Sequence, residues 1–371
     1  MHSSDRPGAS LPSLLDLGWT PELDRSFADH AAAGCVPGRI TRVDRGQCDA
    51  IVTDPNSGTG TDSCATLTVR VDWSAISSPD PIENPCTGDW AAIDLHAQPM
   101  AAVRALLPRG SAVVRGAVGE RSDGQVLAAN VEHVLITVSL AAEPDVGRIE
   151  RLLALAWESG AQPVVVLTKA DTDYDPGVIG EVEAAAPGAV VLAVSAVTGE
   201  GMDVLTAVLA GGSAALIGQS GVGKSTLTNA LVGAEVMATG ATRESDEKGR
   251  HTTTTRELIP LPGGGVLIDT PGLRSVALFG GEAGLAAAFA DVEEYAGDCR
   301  FADCAHESEP GCAVLAAVED GSLQLRRLES YRKLLRENEW IASRTDARLS
   351  AERRNVWKQR TKQYRQQSTR P

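Results

Sequence analysis

One octet limits what this 371-residue chain can fold into more than any other stretch: Gly218-Gln219-Ser220-Gly221-Val222-Gly223-Lys224-Ser225, followed by Thr226. It matches G-x-x-x-x-G-K-[ST], follows the apolar run SAALI and opens the helix-like segment GKSTLTNALVG. That strand–loop–helix setting is the one the motif requires. The glycines let backbone N–H groups wrap phosphate oxygens, and the helix dipole adds to the attraction. Lys224 can reach the β- and γ-phosphates, and Ser225 can ligate Mg²⁺.

The flanking sequence supplies the rest of such a domain. Buried-strand runs (VEHVLITVSL, PVVVLTK, AVVLAVSA) alternate with helical ones (DVGRIERLLALAWESG, PGVIGEVEAAA, GMDVLTAVLA). This alternation predicts a parallel sheet with helices on both faces. Asp269-Thr270-Pro271-Gly272 ends the strand GGVLID, where Asp269 can hold Mg²⁺ through water and the Gly272 N–H can sense a γ-phosphate. Between octet and DTPG lies GATRESDEKGRHTTTTREL, polar and without apolar periodicity. A long loop inside a compact domain is usually functional or disordered. Read as a first switch, it offers Thr253 to the Mg²⁺; read otherwise, the threonine run begins an edge strand.

Base choice comes from Thr168-Lys169-Ala170-Asp171, at the end of PVVVL. The Asp171 carboxylate can accept from guanine N1–H and the exocyclic amine, a donor pair adenine lacks. Lys169 would lay its stem along the base, and the backbone of Ser195-Ala196, ending the next strand, would support guanine O6. The usual quartet is NKxD, so Thr168 is a departure, expected to weaken bridging to the phosphate loop. The order is informative: quartet and Ser195-Ala196 precede the octet, so the second half of the sheet comes first in the chain. The domain is expected to be circularly permuted, which is tolerable where the original termini lie close together.

Beyond the sheet, Cys299, Cys304, His306 and Cys312 are spaced C-x4-C-x-H-x5-C. Three thiolates and an imidazole close a tetrahedral zinc site with no open position, which indicates a structural ion. Before the sheet, the short runs GRITRV, CDAIVT, ATLTVRVD, DWAAID, AAVRALL and SAVVRGAV, separated by turn-forming clusters, predict a small β-barrel of about five strands. An oligonucleotide-binding (OB-like) barrel is one candidate. Residues 1–35 hold several prolines and glycines and are expected to form a loose leader with one short helix. From Arg326 onward there are 14 Lys and Arg against 5 Asp and Glu, although the whole chain carries −15. That basic end is either a solvated helix or an arm for a phosphate backbone.

Together, the permuted order and the strings GQSGVGKST, GRHTTT, DTPG and CRFADCAHESEPGC resemble the ribosome small-subunit-dependent GTPase family, RsgA (also called YjeQ). The resemblance spans residues 36 to 340. It implies a multidomain α/β protein: leader 1–35, OB-like barrel 36–120, circularly permuted P-loop GTPase domain 125–281, helical zinc-binding domain 282–345 and basic tail 346–371. It implies GTP hydrolysis with Mg²⁺, one structural zinc, and the small ribosomal subunit and its rRNA as partners alongside GTP and GDP. The implied role is a checkpoint in late small-subunit maturation. Leu273 stands where related enzymes place a water-orienting glutamine, and the resemblance supports His251 in that role, with Lys224 and Gly272 completing the catalytic set. Arg256 departs from the histidine that often follows the threonines.

The remaining expectations are modest. No run approaches ~18 apolar residues, so no membrane span is expected, nor is a signal peptide. Seven cysteines in a chain this long read as cytosolic thiols and metal ligands, which points to the cytoplasm, with a monomer as the default. Two competing readings are a P-loop ATPase, disfavoured by Asp171, and a nucleotide-dependent RNA-binding scaffold that does not hydrolyse.

Overall fold

The structure is a computed structural model and describes residues 12–54, 66–116, 124–237, 256–270 and 281–345. Five strands, β1 (Val36–Val43), β2 (Gln47–Thr53), β3 (Thr66–Asp72), β4 (Trp90–Asp94) and β5 (Ala102–Leu106), close a barrel in the order β1-β2-β3-β5-β4. β3 and β5 meet in parallel and the other neighbours are antiparallel, the five-stranded Greek-key plan of an OB-like barrel. Alternation along the strands sends Ile40, Val52, Val71, Ile93 and Val103 inward. Outside, arginines meet carboxylates: Arg70 binds Asp44 and Asp49, and Arg104 binds Asp94.

The run SAVVRGAV does not join this barrel. Its described strand, β6 (Ala112–Gly116), pairs with β7 (Gly124–Ala129) as a separate two-stranded ribbon. The partner run GQVLAA is short and rich in small residues, so it gives little strand signal of its own. The described residues of the leader, 12–35, hold the one expected helix but differ from expectation in how they sit. Helix α1 (Pro21–Ala32), capped by Thr20, follows a segment that is docked rather than loose. Leu17 is fully buried, and Trp19 packs edge-on against Trp90 and Phe27. Prolines and glycines mark its turns, while the apolar side chains of Leu17, Trp19 and Phe27 hold it down.

Arg39 joins leader, barrel and sheet. Its buried guanidinium donates to the carbonyls of Leu17 and Asn130 and to Ser213 Oγ, and lies over the Trp90 ring. Burial lowers its pKa to about 10, so it stays charged at neutral pH.

The central sheet has six strands: β8 (His133–Ser139), β9 (Gln162–Thr168), β10 (Val190–Val194), β11 (Ser213–Gly218), β12 (Glu257–Pro260) and β13 (Val266–Asp269). Their spatial order is β10-β9-β8-β11-β13-β12, all parallel except the edge strand β12. Every residue of β11 is buried, as expected of a central parallel strand. Helices α2 (Val146–Glu158), α3 (Gly177–Ala185), α4 (Met202–Leu209) and α5 (Lys224–Val232) connect the strands. From β8 the chain steps toward β9, and from β11 it steps the other way toward β13. The crevice beyond the carboxyl ends of β8 and β11 is therefore the switch point where ligands bind in such sheets.

Four helices follow: α6 (Glu282–Ala288), α7 (Ala290–Ala296), α8 (Ala313–Glu319) and α9 (Leu325–Thr345). They are bolted to the sheet layer by Arg327 of α9, which is 3% exposed. Its guanidinium binds Glu150 of α2 at 2.8 Å, Asp291 of α7 at 2.8 Å and the carbonyls of Ala185 and Ala288, and it lies 4.1 Å over the Phe289 ring. Arg327→Ala would leave the fully buried Glu150 short of its main counter-charge, and about 3 kcal/mol of stability should be lost. Urea denaturation checks this, with Arg104→Ala on the exposed barrel as a control whose midpoint should not move.

Candidate functional site

The octet forms a loop between β11 and α5 whose backbone only glycine can follow. Gly218 has φ +154°, and a Cβ there would lie 2.2 Å from Thr137 Oγ1 and 2.6 Å from the Thr137 carbonyl. Gly221 and Gly223 are left-handed, at +84° and +102°. Gly223 is the N-cap of α5 and brings no side chain to cap it, so the first-turn N–H groups face the crevice. Lys224 is 8% exposed, and its ammonium donates to the carbonyls of Gly218 at 3.0 Å and Gln219 at 2.7 Å. This holds the cation over the loop, with Gln219, Ser220 and Val222 around it and Ser225 and Thr226 in the helix turn that follows.

Asp269 reaches the same crevice from β13. It is 7% exposed and sits in register with Leu216 of β11. Thr270 Oγ1 donates to the Leu216 carbonyl, fixing the exit of β13 on the loop-bearing strand. Ser225 and Asp269 are thus placed at the ends of adjacent elements, with the oxygen ligands a hard divalent cation takes.

The quartet lies on the other flank. The Thr168 hydroxyl meets two carbonyls, Val138 of β8 at 3.1 Å and Val222 of the phosphate loop. Bridging to the loop is therefore kept despite the missing amide, although one hydroxyl proton serves one carbonyl at a time. Lys169 takes a left-handed φ of +62°, and its ammonium donates to the Gly221 carbonyl at 3.2 Å, which stretches its stem across the crevice. The Ala170 N–H donates to Val194 O at 3.1 Å, fastening the quartet to β10. Asp171 Oδ1 accepts from Ser195 Oγ at 2.6 Å, and that hydroxyl in turn accepts from the N–H groups of Val197 and Thr198. Ser195 therefore aims the carboxylate with its side chain, a role its sequence position did not suggest. Lys169, Asp171, Ala196, Val197, Thr226 and Leu227 line a cavity of about 180 Å³ between quartet and loop. Val197 and Leu227 carry no sequence signal; they are apolar walls supplied by neighbouring elements. His251, Thr253 and Gly272 lie outside the described residues, as do Leu273 and the tail 346–371.

The second cluster lies in the helical domain. Cys299 and Cys304 flank the loop after α7, His306 is held at φ +56°, and Cys312 caps α8 by accepting from the Leu315 N–H. Cys299 Sγ to Cys312 Sγ is 3.8 Å, and His306 Nδ1 is 3.6 and 3.4 Å from those two sulfurs. All four donor atoms lie within 4.8 Å of one another. A tetrahedron with Zn–S bonds of about 2.3 Å has edges of about 3.8 Å, so the set fits a structural zinc site. Burial lowers the His306 pKa, favouring the neutral imidazole that ligates. Burial alone would raise the Cys299 thiol, but hydrogen bonds from the Val314 and Ala313 N–H groups and from Cys312 and Cys304 bring it below its ordinary value. Glu309 tightens the loop by accepting from the N–H groups of Ala305, Glu307 and Ser308, and these bonds hold its carboxyl down at about 2.

A phosphate loop at the switch point of a parallel sheet, with the TKAD quartet at the end of a strand that comes earlier in the chain, defines a circularly permuted P-loop GTPase. The chain belongs to the RsgA GTPase family. The family profile described as RsgA GTPase matches residues 106–279. A relative from Streptomyces coelicolor, named small ribosomal subunit biogenesis GTPase RsgA, is 55% identical over 352 residues, covering 94% of this chain and 93% of the relative. The fold is shared with YjeQ from Thermotoga maritima, at 24% identity and a TM-score of 0.58 over 82% of this chain and 98% of that one. It is also shared with YloQ, described as a circularly permuted GTPase, at 24% identity and a TM-score of 0.56 over 82% and 95%.

Elemental analysis of chain purified without chelator should find one zinc per molecule. Cys304→Ser should lose it and unfold the helical domain locally, while the sheet still binds nucleotide. Circular dichroism and nucleotide titration of the same sample separate the two outcomes.

Proposed function

We propose that this chain hydrolyses GTP in the biogenesis of the small ribosomal subunit, with the subunit as the trigger. The observation that carries the base choice is the Asp171 carboxylate, fixed by Ser195 at the edge of the cavity beside Lys169. An ionised acceptor pair suits the two donors on the guanine edge. The phosphates would lie against the N–H groups of Gly221 to Ser225 with Lys224 as counter-charge. Ser225 and Asp269, and with them Thr253, would hold Mg²⁺, and Gly272 would read the γ-phosphate. The biogenesis role is carried by the relatives' name and by the extent of the match to them. The barrel, the zinc domain and the basic tail would face rRNA. No described helix is long and apolar enough to cross a membrane, and the cytoplasm is where such a role would be performed.

Hydrolysis in the free chain should be slow, because Leu273 cannot orient water. Subunit binding would bring His251 to the γ-phosphate, lowering the barrier by positioning water and by stabilising transition-state charge. Single-turnover rates with saturating small subunit test this: wild type should accelerate, whereas His251→Ala should bind GTP and subunit yet lose most of the acceleration. Full stimulation of the variant would remove His251 from the mechanism.

Asp171→Asn should weaken GTP binding by about 2–3 kcal/mol, the value of a hydrogen-bonded charged group. Xanthosine triphosphate, whose C2 carbonyl accepts from the new amide, should gain in its place. Competition titrations of the two nucleotides measure the exchange, and an unchanged GTP affinity would contradict the assignment.

A further inference from the structure

We infer that Pro12–Thr20 is a detachable strap that locks the barrel onto the GTPase sheet, and that the groove it fills accepts the same sequence as a free peptide. The consequence drawn below for the small subunit rests on the proposed function; the strap itself does not.

The segment holds its own shape. The Ser13 N–H and Oγ donate to Asp16 Oδ2 at 2.9 and 2.8 Å, and the Asp16 N–H donates back to Ser13 Oγ at 3.2 Å. The N–H groups of Leu17, Gly18 and Trp19 then donate to the carbonyls of Ser13, Leu15 and Leu14. These bonds are internal, so the turn forms without borrowing a strand from either domain.

Its outward groups are divided between barrel and sheet. On the barrel side, the Pro12 carbonyl accepts from Thr66 Oγ1 of β3 at 2.7 Å, and the Leu17 carbonyl accepts from Arg39 of β1. On the sheet side, the Asp16 carbonyl accepts at 2.9 Å from the Gly265 N–H, in the turn between β12 and β13. Gly18, at φ +88°, sits where a Cβ would lie 3.0 Å from Arg39 Nη1 and 3.3 Å from Ser213 Oγ at the start of β11. Leu17 is fully buried in this seam, and the Trp19 ring centroid lies 4.9 Å from that of Trp90.

Other bonds cross the same seam directly. Thr87 Oγ1 donates to the Arg256 carbonyl at 3.5 Å, and Arg39 also donates to Ser213 and to the Asn130 carbonyl. The strap is different in kind. Its release breaks no strand pairing, so it can leave as a unit while barrel and sheet stay folded. With it go one acceptor of the buried Arg39 guanidinium and the cover over Trp90, and the two domains are left to rock about the remaining bonds. A partner touched by both domains is bound as by two linked modules. A fixed joint lets the second contact form without further ordering, whereas a loose one lowers the effective concentration of that contact. On the proposed function, that partner is the small ribosomal subunit.

The test uses the full chain. Leu17→Asp puts a carboxylate at a fully buried position and should release the strap; Leu15→Asp, in the same turn but 52% exposed, is the control. Hydrogen exchange should rise over residues 36–43 and 261–266 in Leu17→Asp and stay at the wild-type level in Leu15→Asp, with GDP affinity unchanged in both. A synthetic peptide of residues 12–20 should restore protection to Leu17→Asp at about millimolar concentration, the effective concentration that a short tether confers. The same peptide carrying Leu17→Asp should restore nothing. Subunit binding by Leu17→Asp should weaken about tenfold, less than the ~100-fold or more lost when a linkage is severed. Wild-type exchange in Leu17→Asp would overturn the inference, as would a wild-type peptide without effect. Exchange raised throughout the sheet with loss of GDP binding would also overturn it, because the segment would then be an inseparable part of the core. If the wild-type chain does not bind the subunit, the proposed function fails while exchange and peptide still decide the strap. Unchanged subunit affinity alongside raised exchange would overturn only the consequence for the subunit.

Discussion

The nucleotide-binding half depends on one close contact, that of β11 against β8 at their carboxyl ends. Thr137 Oγ1 donates to the Ile217 carbonyl at 2.8 Å, and the next residue, Gly218, has no room for a side chain. With β11 that near, the chain can turn into the phosphate loop over the crevice, and Thr168 at the end of β9 can touch the loop at Val222. Loosening this contact would part the TKAD quartet from the octet loop, because no covalent link joins them there. Their relative position is set by strand pairing and a few hydroxyls.

Charge is used as mortar in the interior. Arg39, Arg109 and Arg327 each bring a guanidinium into a mostly buried setting and spread its donors over several elements. Planar five-donor geometry suits arginine to this task, and lysine could not replace it. Such networks contribute modest net stability, but breaking one leaves a buried group without its partner. They constrain orientation where apolar packing alone would permit sliding. The barrel's outer arginines are different, being exposed, screened and energetically minor.

Features carried by consecutive residues were legible in the sequence. The octet, the TKAD quartet and the Cys/His cluster each place their donors within one turn or loop, so spacing alone indicates chemistry. The order of the motifs gave the permutation, because strands pair by position in the sheet and not by rank in the chain. What depended on pairing between distant segments was hidden. Ser195 aims Asp171 only because β10 lies in register beside β9, with Val194 opposite Thr168. β7 escaped notice because its small residues become a strand only when β6 is alongside. The docked leader needed Trp90, some 70 positions downstream, to give Trp19 a surface.

The permuted strand order also affects how the molecule is made. Ribosomes deliver a chain from its N-terminus, and domains begin to fold as they emerge. Here β8, β9 and β10 appear first, with β8 presenting an open apolar edge where His133 to Thr137 await Ala214 to Gly218. After β8, three helices and two strands must be synthesised before β11 covers that edge, and the sheet is not complete until β13 arrives on the far side of β11. Parallel pairing over such separations raises contact order and slows closure. Its nascent form is thus a half-sheet that carries the TKAD quartet but not yet the octet loop, so nucleotide can stabilise the domain only at the end of its own synthesis.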